Sequence, residues 1–160
     1  MARKITGSYF RDQRYQTGIE YFDLGNFKKA IKSFYKHLSK FPNDLEIYAL
    51  IGASYYYLGN FKKCIEESTK AINFNINTGF AYLYRGMSFA EEENFTDSID
   101  DLSCAIELGD RENYLDFNYD LNRAIIERGK VFIKLEEYQK AIADFSRSIG
   151  NDSNCYEAYQ

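Results

Sequence analysis

Tryptophan is absent from this 160-residue chain, and proline and histidine occur once each. Three cysteines, Cys64, Cys104 and Cys155, are odd in number and far apart. That spacing fits neither a disulfide framework nor the close pairs of a zinc site, so all three are expected to be reduced thiols. No stretch of eighteen apolar residues exists, and Arg3 and Lys4 are followed by no apolar run, which argues against a membrane span and against a secretion signal. A cytoplasmic setting is expected. With one histidine and no nucleophile elbow or Cys/His signature, catalysis has little to work with. His37 lies on an apolar helix side and reads as a packed histidine. The acidic stretch Glu91 to Glu93 with Asp97, Asp100 and Asp101 has no glycine at the bend that a calcium loop requires, and no glycine-rich loop follows a strand to hold phosphate. Neither metal nor cofactor is expected.

What is present is repetition. "LGNFKKAI" at 24–31 returns as "LGNFKKCI" at 58–65. Gly18, Gly52 and Gly86 keep this period, as do Phe27, Phe61 and Phe95, while Tyr21, Tyr55 and Phe89 hold an aromatic ring at another fixed place. A fourth copy has Gly129, Phe132, Tyr138 and Ala141 and is displaced by an insertion within about 110–121. In each copy apolar residues recur at steps of three and four, first over a set such as Tyr15, Gly18, Tyr21 and Phe22, then over Phe27, Ala30, Ile31, Phe34 and Leu38. Two amphipathic helices per copy follow. Gly25 and Gly59 suit the left-handed residue that ends a helix, and Asn26, Asn60 and Asn94 suit the turn or the next cap. At "FPNDLE", Pro42 stops a helix, and Asn43 with Glu46 has the spacing of a capping box.

Gly18, Gly52, Gly86 and Gly129 on the first helices are expected to face Ala30, Cys64, Ser98 and Ala141 on the second, so that the two helices approach closely. This register of Gly, aromatic, Ala, Phe and Pro resembles the tetratricopeptide repeat. The first copy matches best, with Gly18, Tyr21, Phe27, Ala30, Phe34 and Pro42 in place. Departures are His37 at a position usually small, Ser68 in place of an aromatic, and no proline in copies two to four. The fold expected is an all-α, right-handed solenoid of antiparallel helix pairs. Its divisions are an N-terminal segment over 1–10, repeats about 11–44, 45–78, 79–110 and 122–155, the insertion, and the start of a further helix at 156–160. The insertion is expected to extend the fourth copy's first helix at its N-terminal end, because Tyr114, Phe117, Leu121, Ile125, Arg128 and Phe132 continue one face.

Net charge is −4, unlike proteins that grip phosphate backbones, so nucleic acid is not an expected partner, and neither is a membrane. Charge is uneven: residues 1–44 sum to +5 and residues 79–121 to −9. Lys28, Lys32, Lys36 and Lys40 fall on one helix face, read as solvated.

In proteins that this pattern resembles, the first helices line a concave, peptide-binding side. The matching positions are Tyr15, Ile19 and Phe22, then Ala49, Ala53 and Tyr56, then Phe80, Leu83 and Met87, then Arg123, Ile126 and Lys130. Most are apolar or aromatic, as interaction patches are. The centre of the strip is expected at Tyr56, Phe80, Leu83 and Met87. Chaperone-binding members of the family hold a C-terminal carboxylate with Lys, Asn and Arg. Here those positions are Tyr15, Ile19, Leu50, Phe80 and Tyr84, and one repeat further along Ala49, Ala53, Tyr84, Arg123 and Glu127. The clamp is absent, and a chaperone-tail adaptor is not expected. The expected function is a non-catalytic scaffold or adaptor holding an apolar or amphipathic peptide in the concave groove. The alternative is a structural segment of a longer multi-repeat or multidomain protein whose activity lies elsewhere. Partners are expected to be a protein or peptide, with self-association through the exposed C-terminal face as a further option.

Overall fold

The computed structural model of the protein describes residues 12–75, 77–109 and 121–151. Among these residues the chain forms α1 Gln13–Asp23, α2 Phe27–Leu38, α3 Ile47–Tyr57, α4 Phe61–Phe74, α5 Gly79–Glu91, α6 Phe95–Gly109, α7 Leu121–Lys134 and α8 Tyr138–Asn151, and no strand. Odd and even helices pack as pairs, each even helix packs on the next odd one, and α5 touches both α3 and α7. The result is the right-handed, all-α solenoid of antiparallel helix pairs that the period implies. The insertion, the N-terminal segment and the start of a fifth first helix lie outside the described residues.

Local chemistry sets the helix ends. The Asp12 carboxylate accepts from the Arg14 and Tyr15 amides, Asn60 from the Lys63 amide and Thr78 from the Ala81 amide. The capping box expected at Asn43 and Glu46 does not form. α3 begins after Glu46, which makes no side-chain cap bond, because turn bonds from the Asp44 amide to the Phe41 carbonyl and from the Ile47 amide to the Asp44 carbonyl close this loop instead. Gly25 and Gly59 take left-handed φ values of 70° and 71°, and the same turn in copies three and four is made by Glu93 and Glu136, each at 60°.

The close seam within each pair differs in its partner from the expected one. A Cβ on Gly18 would stand 2.4 Å from the Phe34 ring, one on Gly52 2.4 Å from Ser68 Oγ, one on Gly86 2.9 Å from Leu102 Cγ and one on Gly129 2.7 Å from the Phe145 ring. The glycines therefore face the position sixteen residues on, and Ala30, Cys64, Ser98 and Ala141 are buried beside that contact.

Between repeats there is a polar seam. Arg85 reaches both carboxylate oxygens of Asp101, through Nε at 2.7 Å and Nη2 at 2.8 Å, while Nη1 donates to Thr69 Oγ1 on the preceding repeat at 3.0 Å. Arg128 repeats the arrangement with Asp144 at 2.9 and 2.7 Å and with Ser103 Oγ at 2.9 Å. Burial opposes charge here, yet the two bonds that Arg85 donates to Asp101 hold its pKa above the ordinary value. In the second repeat the acid is Glu67, buried, with Oε1 bonded to Lys70 at 2.9 Å and Oε2 unpartnered. Tyr35 takes the place of Thr69 and Ser103, and burial and then its bond to Glu67 push its hydroxyl pKa up. Ile51 takes the place of the arginines.

Candidate functional site

The first helices form the face to which the family resemblance assigns binding, but the described structure opens only part of it. Ala49, Ala53, Phe80, Leu83, Met87 and Ile126 are core residues, with Leu83 1% and Met87 3% exposed. The expectation that Phe80, Leu83 and Met87 form the open centre of a groove is therefore corrected. α5 lies between α3 and α7 and touches both. Tyr15, Ile19, Phe22 and Tyr56 are half-buried and pack on the core with one flank. Lys130 is exposed and ion-pairs with Glu127 at 3.3 Å.

Beside these four residues stands one that the periodic reading left out. Tyr57, at the C-terminal end of α3, is 41% exposed. Its ring stacks on Phe27 at 4.6 Å with an interplanar angle of 11°, and Phe22 sets its edge against both rings at 5.5 and 6.2 Å. On its other side, the Tyr57 hydroxyl lies 2.8 Å from the Tyr84 hydroxyl. Arg123 of α7 closes the group, with Nη1 donating to Tyr57 at 2.9 Å and to Tyr84 at 3.2 Å. Its guanidinium also sits 5.8 and 5.4 Å from the two ring centres, a cation–π geometry. Tyr56 packs against Tyr57, Phe61 and Tyr84, and burial followed by the charges of Glu127 and Glu91 pushes its hydroxyl up to about 12. Four first helices thus contribute to one patch that offers aromatic surface beside a cation and hydroxyl groups.

His37 lies apart from this patch. It is buried, with Nδ1 2.7 Å from Asp12 Oδ1 and Nε2 3.0 Å from Asp44 Oδ2, between the rings of Tyr15 and Phe41. Burial works against charge on Asp12, but the bonds from His37, from Arg14 and from the Tyr15 amide prevail and lower its carboxyl to about 2. This triad ties the start of α1 to the end of α2 and to the loop that follows. Among the described residues no group of three or more His, Cys, Asp or Glu side chains could hold a metal ion. No helix there is long and apolar enough to cross a membrane.

Helix pairs stacked in one register, with first helices along one side, define a helical-repeat solenoid. Residues 45–75, the second copy, match the family described as Tetratricopeptide repeat. The match covers that one copy, and the other helix pairs repeat its fold. Solved structures of similar shape include MamA, with a TM-score of 0.74 and 25% identity over 95% of this chain and 81% of that one. PilF from Pseudomonas aeruginosa has a TM-score of 0.76 and 20% identity over 92% of this chain and 64% of its own. YrrB has a TM-score of 0.71 and 19% identity, over 91% of this chain and 71% of its own, and is described as a tetratricopeptide-repeat protein with an unusual peptide-binding site. No curated protein matches the chain by sequence. At these identities PilF and YrrB establish the shared fold. Tetratricopeptide repeats are generally protein-interaction modules without catalytic activity.

Proposed function

We propose that this protein is a non-catalytic adaptor that holds an apolar or amphipathic peptide segment against its first helices, over Tyr15, Ile19, Phe22, Tyr56 and the neighbouring Tyr57. The observation that carries the proposal is the half-open aromatic row itself: these side chains pack on the core with one flank and leave the other to solvent, which suits capture of another apolar chain. The peptide-binding description of YrrB adds support by likeness of fold. Ala49, Ala53, Phe80, Leu83, Met87 and Ile126 serve this proposal as the rigid floor beneath the row. A cytoplasmic setting belongs to the proposal and accords with Cys64 and Cys104 being free thiols. So does the expectation that partners are proteins or peptides, with nucleic acid, membranes and carboxylate-clamp chaperone tails outside the range.

The test is a titration of the isotopically labelled protein with pooled amphipathic twelve-residue peptides, followed by nuclear magnetic resonance. Shifts should gather at Tyr15, Ile19, Phe22 and Tyr56. Ile19→Glu should abolish them with little change in the thermal midpoint, since Ile19 already faces solvent in part. Peptide-induced shifts confined to other surfaces would overturn the proposal.

One observation favours a second reading, a structural segment that continues by packing. On α8, Tyr138 is 57% and Ile142 56% exposed, whereas Ile31, in the register of Ile142, is 9% exposed on α2. A further repeat or a second copy seated there would cover both, and a concentration-dependent rise in sedimentation that Ile142→Glu removes would support this reading.

A further inference from the structure

Hydrogen-bond accounting at Tyr57 sharpens the proposed adaptor reading, on which this inference rests. Arg123 only donates, so each of the two tyrosine oxygens accepts one bond from Nη1. The hydroxyls lie 2.8 Å apart, so one of them donates to the other and one hydroxyl proton is left over. Tyr84 is 4% exposed. If Tyr57 donated, the leftover proton would be on Tyr84, in the interior, where an unsatisfied donor is costly. The economical arrangement has Tyr84 donating to Tyr57. Burial, and next its bond to Tyr57, push the Tyr84 pKa up, which keeps that proton in place. Tyr57 then accepts from both Arg123 and Tyr84, and its own O–H is left to donate, on a residue that is 41% exposed.

We propose that this corner recognises an acidic side chain, Asp or Glu, within the bound peptide, with the Tyr57 O–H donating to the carboxylate and the Arg123 charge beside it. Charge selects this chemistry: a hydroxyl donor polarised by two incoming bonds, next to a guanidinium, favours an anionic acceptor over a neutral amide. The ring is fixed before binding by its stack on Phe27 and by the edge of Phe22, so little ordering is needed when the acceptor arrives. Apolar neighbours of the acid in the peptide would lie on Phe22 and Tyr56. Tyr84 and Arg123 stand at two positions of the five-residue grip on a chain terminus, but Ala49, Ala53 and Glu127 occupy the other three in this register, and the donor comes from Tyr57, which is not among them.

The probes are three synthetic peptides: acetyl-Leu-Leu-Asp-Leu-Leu-amide, its Asn counterpart, and acetyl-Leu-Leu-Leu-Leu with a free C-terminal carboxylate. Binding to the full chain is followed by nuclear magnetic resonance at constant salt. The Asp peptide should bind about tenfold or more tighter than the Asn peptide, as expected for a bond to a charged acceptor. Tyr57→Phe, which keeps the stack on Phe27, should bring that ratio down towards one. Equal binding of the Asp and Asn peptides overturns this inference and leaves the adaptor reading intact. A preference for the free terminus over the Asp peptide overturns it in favour of end recognition. Failure of all three to bind overturns both this inference and the aromatic-row reading. Unchanged preference in Tyr57→Phe assigns the selectivity elsewhere and refutes the role of the hydroxyl.

Discussion

Ile51 and Arg128 occupy the same place in their repeats, one residue before the seam glycine, and are surrounded differently. Around Arg128 the contact to the preceding repeat is a closed polar unit: Asp144 takes two bonds, Ser103 takes one, and donors and acceptors match. Around Ile51 the acid remains, as Glu67, but the guanidinium does not, and one carboxylate oxygen has no partner. The N-terminal pair has a different polar tie, His37 between Asp12 and Asp44, which joins the pair to itself and to its own exit loop. The apolar packing of the solenoid is thus shared along its length, whereas the polar ties are particular to each junction. In a linear array whose units contact only their neighbours, the strength of each junction sets where the array opens.

The largest expected effect bears on the shared packing. Leu83→Asp places a charge where the side chain is 1% exposed, and should cost on the order of 4 kcal/mol, read as a collapse of the thermal midpoint and of the helical circular dichroism signal. A folded Leu83→Asp protein that lost only peptide binding would reopen the centre of the face and refute its assignment to the core. Next in size is Arg128→Met, which strands Asp144 in the interior and should cost about 3 kcal/mol in chemical denaturation. Adding Asp144→Leu should recover much of that loss, and a double variant no better than the single would show that the arginine acts by packing alone. Smallest is Asp12→Asn, on the order of 1 kcal/mol at neutral pH, because the carboxylate is near the surface. The sign follows from the lowered pKa: the contribution of Asp12 is fully present above its ordinary value of 3.8 and is lost as the pH falls towards about 2. Denaturation midpoints of parent and variant should therefore converge over that acid range, and parallel curves down to pH 2 would remove Asp12 from the account.

Much of the fold was legible because a repeat states its register four times. Gly18, Gly52, Gly86 and Gly129 mark every first helix, and a chance error at one copy is corrected by the others. The binding face was less legible for a geometric reason. Position in a repeat specifies which way a side chain points, and Ile19 and Met87 point alike, but α5 has a first helix on either side, whereas among the described residues α1 meets one first helix, through Phe22 and Tyr57. Periodicity cannot count neighbours, so Tyr15, Ile19 and Phe22 remained half-open where Phe80, Leu83 and Met87 became core. Tyr57 escaped notice because it sits beside the inward stripe, and its role emerges only when Arg123, far along the chain, is brought to its hydroxyl. The arginine ties have a visible trace in the sequence: Arg precedes the seam glycine in copies three and four, and an aspartate follows sixteen residues later in both.

Cys64 occupies the small-residue place of the second repeat, where its thiol, fully buried, approaches the Tyr84 carbonyl across the α4 to α5 junction at 3.4 Å. Burial raises this thiol to about 11, so in the closed molecule it is sheltered and also almost wholly in the unreactive protonated form. An alkylating reagent can reach it as thiolate only when the second and third repeats separate. The chain therefore contains its own clock for that motion: with Cys104 and Cys155 replaced by serine, the rate of Cys64 labelling measures how often the solenoid parts beneath the aromatic patch, and a ligand seated there should slow it.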